Sequence, residues 1–134
     1  MESERWDVAA DCFGEAVAFE LKERVFAPFV ADSPGLCPPD EHWKRALAGR
    51  GMLGEMIECL LQSRQPNHQT AKQLSAWLTA NRPGLREHIR KARPRQLLQL
   101  AKLRGQAQHA SVTESETREL FVEAADMLRA IAGR

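Results

Sequence analysis

The 134 residues amount to a single domain by length, with 43% apolar and 28% charged residues, enough for one sizeable core. Five Phe and three Trp are present but no Tyr, which excludes chemistry that needs a phenol. Net charge is only +1, yet it is unevenly spread: residues 1–63 carry −6, residues 64–104 carry +9 and residues 105–134 carry −2.

A basic block of that kind is the electrostatic footprint expected of a protein that meets a polyanion. Its alternative role is to pair with the acidic segments, inside the fold or across a dimer. The start, MESERWDVAADC, is acidic and lacks a basic region followed by an apolar run, so no signal peptide is expected. No window approaches the roughly 18 consecutive apolar residues of a membrane span. Cys12, Cys37 and Cys59 are odd in number and widely spaced, without CxxC. A cytoplasmic protein with free, mostly buried thiols is the expectation.

In chain order, Trp6, Ala10, Phe13, Val17, Leu21 and Val25 step by three or four and predict one long amphipathic helix. Pro28 and the loop DSPGLCPPD (32–40) are expected to end it. Asp40 is placed to cap a second helical stretch. That stretch runs into AGRGMLGEM, where Gly49, Gly51 and Gly54 predict a break or a tight helix contact. Met52, Met56, Leu60 and Leu53, Ile57, Leu61 then form two adjacent apolar rows.

QPN (65–67) predicts a loop, with Asn67 as cap of a helix bearing Ala71, Leu74, Trp77 and Leu78. NRPG (81–84) predicts a turn, and Leu85, Ile89 and Ala92 a short helix that meets Pro94. Leu97, Leu100, Ala101 and Leu103 continue the core stripe as far as Gly105. Thr113 with Glu116 matches a capping box ahead of Leu120, Phe121, Ala124, Leu128 and Ile131. No strand alternation is present. The expected fold is all-α, an up-and-down bundle of four long helices plus one or two short ones, in one domain spanning 1–134.

Metal chemistry finds no support in spacing. His42, His68, His88 and His109 form no HxxxH or HExxH pair, and no cysteine lies near one in sequence, so neither metal nor cofactor is expected. AGRGMLG has neither the Lys-Ser/Thr nor the preceding strand of a phosphate loop. What remains is arginine with histidine. An imidazole titrates near neutral pH and can exchange a proton with a ribose hydroxyl or a leaving oxygen. A guanidinium can grip the same phosphate with two parallel hydrogen bonds. Arg104-x4-His109 in LRGQAQHA (103–110) and Arg82-x5-His88 both have suitable spacing, and composition alone yields about one such match. On a continuous helix the five-residue step from Arg104 to His109 turns roughly 140°, so the two converge only if the helix breaks at Gly105 or a second protomer supplies one of them.

The order in residues 93–134 is a basic helix, LRGQAQHA, SVTESE and then the amphipathic TRELFVEAADMLRAI. That order resembles the C-terminal half of HEPN domains, in which an arginine lies four to six positions before a histidine and a capped helix follows. EAVAFELKERVFAPF (15–29) and GMLGEMIECLL (51–61) look like the first helices of such domains. The resemblance implies a homodimer and metal-independent RNA cleavage, with Arg104 and His109 as catalytic residues. Gly105 stands where the family favours Asn, with Gln106 or Gln108 left to supply a polar group. Many HEPN domains are inactive and serve in dimerisation or partner binding.

The reading is therefore a HEPN-like RNA-binding protein and metal-independent endoribonuclease of a defence or toxin-type system. Arg86, Arg90, Lys91, Arg93, Arg95 and Lys102 track the RNA backbone. The alternative is an inactive helical dimerisation module, docking a second copy or an acidic protein partner. A duplex-DNA reader ranks last, because no clear helix-turn-helix pattern is present.

Overall fold

The structure, a computed structural model, describes residues 2–92, 94–95, 97–98 and 114–133, with the side chains of 2–11, 114, 116, 117 and 120 excepted. Among the described residues the chain is all helical, without a strand. The sequence expectation of an all-α fold is met.

α1 (Glu2–Leu21), a π turn (Lys22–Phe26) and α2 (Ala27–Asp32) form one uninterrupted helical run. Pro28, expected to end the first helix, lies within this run. A proline ring in an α-helix collides with the carbonyl four residues back. Here the helix widens just before it, and the Ala27 N–H reaches five residues back to Lys22 O. The widened turn lets the helix continue to Asp32 and keeps Val25, Phe26 and Phe29 buried.

α3 (Glu41–Leu47) starts as expected, with Asp40 Oδ1 accepting from the Trp43 N–H at 3.0 Å. It ends in a Schellman turn: Gly49 N–H donates to Ala46 O (3.3 Å) and Arg50 N–H to Arg45 O (2.9 Å). Gly49 has φ +77°, the left-handed conformation glycine adopts without strain. Gly51 answers the second expectation for this segment, a close contact. A Cβ there would lie 2.7 Å from Ala46 Cα.

α4 (Leu53–Gln62) buries Leu53, Met56, Ile57, Cys59 and Leu60. Glu55 joins it to α3, accepting from Arg45 Nε at 2.6 Å and from the Met52 N–H at 3.0 Å. These bonds, the Arg45 contact foremost, hold the Glu55 carboxyl below its usual range.

α5 (Gln69–Asn81) is capped by His68, not by Asn67. The imidazole Nδ1 accepts from the Ala71 N–H at 3.1 Å, so Nε2 carries the proton and faces Gln62 Oε1 at 3.3 Å. Arg82 alone separates α5 from α6 (Pro83–Lys91), whose first residue is the proline the helix tolerates there. α7 (Glu114–Ala132) closes the chain. The Thr113–Glu116 capping box lies outside the described residues and side chains.

α1 packs most extensively on α7 and also on α4, α3 packs on α4, and α6 joins α5 to α7. Phe13 meets Phe121 with ring centroids 5.1 Å apart. Arg82 donates to Ile131 O near the end of α7 and lines one cleft with Arg24 and Pro28. The two long helices therefore run parallel, with their C-terminal ends at the same end of the molecule.

Cys59 lies in the core while Cys12 and Cys37 are exposed. Burial, reinforced by the Asp40, Glu55 and Glu58 carboxylates, pushes the Cys59 thiol from 9.0 up to about 12. Native protein is expected to titrate with two thiols per chain toward an aromatic disulfide reagent, the third reacting only on unfolding. A folded-state value above the unfolded one also fixes the sign of the pH effect. The thiol's contribution is intact below pH 9 and lost as pH climbs towards about 12. Cys59→Ala should remove that part of the alkaline loss, as read by urea denaturation across this window.

Candidate nucleic-acid interface

α6 orients the basic block. Leu85 and Ile89 bury one stripe, which leaves Arg86 and Arg90, four residues apart, on one flank. Arg64, just past the end of α4, comes to the same flank, as does Ser75 from α5. Arg64, Ser75, Arg86 and Arg90 line a small cleft of ≈ 60 Å³ over Leu78 and Ile89. Three arginines and a serine from three parts of the chain thus share the wall of a space the size of about two water molecules. Guanidinium forks of this kind suit a phosphodiester, which accepts parallel hydrogen bonds at two oxygens.

Sequence reading named Arg86 and Arg90 but not Arg64 or Ser75. Nothing in linear spacing joins a loop residue at 64 to a helix face at 86–90. The one signal available was that Arg64 opens the basic block.

Arg90 and Lys91 do not enter this surface as free cations. Glu87, the only acid of residues 64–104, lies one turn before both. Its Oε2 accepts from Arg90 Nε at 2.9 Å, its Oε1 accepts from Arg90 Nη2, and Lys91 Nζ lies 3.4 Å away. Arg90 foremost and Lys91 second hold the Glu87 carboxyl down at about 2, and Glu87 raises Arg90 in turn. Glu87→Gln releases both cations, so affinity for single-stranded polyanions should rise roughly fivefold per added phosphate contact at about 0.1 M salt. Fluorescence anisotropy with a labelled oligonucleotide measures it.

Arg95 is exposed. Arg93, Lys102, Arg104 and His109 lie outside the described residues. The second arginine–histidine match does not assemble a site. Arg82 spends an N–H on Ile131 O at 3.1 Å, while His88 turns to α7 with Nε2 3.5 Å from Glu123 Oε1. Both of those atoms are buried without a hydrogen-bond partner.

Among the described residues no three His, Cys, Asp or Glu side chains are grouped to hold a metal, and no helix is long and apolar enough to cross a membrane. Comparison with protein families, curated proteins and solved structures gives no match.

Proposed function

We propose that the chain is a HEPN-like RNA-binding domain acting in the cytoplasm, with metal-independent endoribonuclease activity of the defence or toxin type. The observation that carries RNA binding is the convergence of Arg64, Arg86 and Arg90 with Ser75 on one cleft. Arg95 extends the same basic segment, and Arg93 and Lys102 are its further contacts to the RNA backbone. The bundle of this reading has four long helical elements, α1 with α2, α4, α5 and α7, with short α3 and α6 between them, and the parallel course of α1 and α7 departs from strict up-and-down alternation.

The catalytic step rests on Arg104 and His109 across a homodimer. His109 takes the proton of a ribose 2′-hydroxyl, whose oxygen attacks the adjacent phosphorus. The 5′-oxygen of the next nucleotide leaves with a proton given back by the His109 imidazolium acting as general acid, which yields a 2′,3′-cyclic phosphate and a 5′-hydroxyl end. Arg104 balances the charge on the pentacovalent phosphorus. Incubating pure protein with total RNA in EDTA tests this step. Cleavage that disappears in His109→Ala supports it, and equally intact RNA from both proteins removes catalysis while leaving the binding reading to its own measurement.

A second reading, an inactive interaction module, is favoured by a different observation. Phe19, Met52, Phe121 and Val122 are 60%, 64%, 53% and 57% exposed. It predicts a dimer, or a complex with an acidic protein, that survives Arg104→Ala and His109→Ala but weakens on charge reversal at Arg90 and Arg93. Light scattering on those variants distinguishes it.

A further inference from the structure

At the end of the molecule where α7 terminates, the π turn, the end of α2 and the α5–α6 junction line an open cleft of ≈ 540 Å³. That volume falls in the range of small-molecule sites. Its wall includes Arg24, Pro28, Asp32, Trp77, Asn81 and Arg82. This cleft is distinct from the basic one, which opens on the other flank of α5, and it plays no part in the RNA reading above.

Each polar group of the wall is held by one bond that leaves further valences unspent. Asp32 Oδ2 accepts from Trp77 Nε1 at 2.9 Å, leaving Oδ1 as an acceptor. Asn81 Nδ2 donates to Trp77 O at 3.0 Å, leaving Oδ1 and a second N–H. Arg82 gives one of its five N–H groups to Ile131 O. Arg24 pairs with Glu20 on its own helix, Nε lying 2.6 Å from Oε2, which leaves its outer nitrogens. The indole is oriented as well, between Asp32 and the edge of Phe29 at 6.0 Å between centroids. The indole and Arg82, each tied to a partner on another helix, lose little freedom when a ligand arrives, while exposed Arg24, Asp32 and Asn81 form the rim.

Charge decides the ligand class. Two arginines are balanced by Asp32 and Glu20, so the site is neutral with its signs separated. A mononucleotide or other dianion would leave negative charge uncompensated beside Asp32. A cation would face both arginines. A zwitterion matches both signs, and the indole with Pro28 offers apolar surface to a nonpolar body. We propose that this cleft binds a free α-amino acid with an aromatic or large apolar side chain. Its carboxylate is held by Arg82, Arg24 and Asn81, and its ammonium by Asp32.

The Trp77 indole N–H resonance, assigned by loss in Trp77→Phe, reports binding from inside the cleft. L-phenylalanine should shift it, while 3-phenylpropanoate (no ammonium) and 2-phenylethylamine (no carboxylate) each bind roughly tenfold or more weakly. Asp32→Asn keeps an acceptor for the indole and should bring L-phenylalanine and 3-phenylpropanoate to equal affinity. Arg82→Lys keeps a donor for Ile131 and should weaken both. The proposal is overturned by no shift with L-phenylalanine at about 10 mM, by equal binding of the three compounds to the native chain, or by Asp32→Asn leaving the preference unchanged. None of these outcomes touches RNA binding, which is read separately.

Discussion

Trp43→Ala is expected to lower the unfolding free energy by about 3–5 kcal/mol, the range for deleting a large aromatic from a packed core. Trp43 is 0% exposed and is the largest of the fully buried side chains. It also joins three segments. Its N–H is taken by the Asp40 cap at 3.0 Å, its indole N–H donates to Gln62 Oε1 at 2.8 Å, and its ring meets the His68 imidazole edge-on at 5.1 Å. Truncation empties the space between α3, α4 and α5 and removes the ring against which the His68 cap is set.

Trp43→Phe separates the two parts of that loss. It keeps most of the apolar volume but removes the donor to Gln62, and should cost about 1 kcal/mol from the hydrogen bond, with a smaller packing deficit added. Urea denaturation followed by circular dichroism reads both variants. A loss under about 1.5 kcal/mol for Trp43→Ala would show that the α3–α5 junction is not part of the cooperative core.

How much of this was legible in the sequence differs from one residue to the next. The burial of Leu53, Met56, Ile57 and Leu60 follows from their spacing, because a single helix face must turn inward once the opposite face carries Glu55 and Glu58. The Asp40 cap was legible for the same local reason. Pro28 was not. The rule that proline breaks a helix assumes an α-helical frame on both sides, and a π turn satisfies the ring while sparing the buried face of Val25 and Phe29. His68 in place of Asn67 was missed because Asn is a preferred cap and an imidazole is not, whereas here a contact with Gln62 orients the imidazole so that Nδ1 faces the helix. Gln62 comes from another helix.

The basic surface shows the same division. Arg86 and Arg90 were legible as one helix flank, and their contact with Glu87 follows from three- and four-residue spacing. Convergence with Arg64 depends on how α4 meets α5 and α6, which no local pattern carries. The motif that brought forward Arg104 and His109 lies outside the described residues.

Arg64→Glu combined with Arg86→Glu is expected to reduce affinity for a single-stranded RNA by roughly 25-fold or more at about 0.1 M salt. The magnitude follows from counterion release. Each phosphate neutralised on a single strand contributes a slope of about −0.7 to the logarithmic salt dependence, so two lost contacts remove about 1.4 from it. At about 0.1 M salt one contact corresponds to roughly fivefold in affinity, and reversal adds repulsion to the loss. Arg64 is exposed and Arg86 half-buried, so the fold should tolerate both changes. The control is Lys44→Glu with Arg129→Glu, two exposed cations on α3 and α7 that carry the same change in net charge. If the cleft is the grip, the control pair loses far less affinity and keeps the native salt slope. Equal losses in both double variants would mean that the RNA senses only the overall field, and that Arg64, Ser75 and Arg86 converge without serving as a phosphate site.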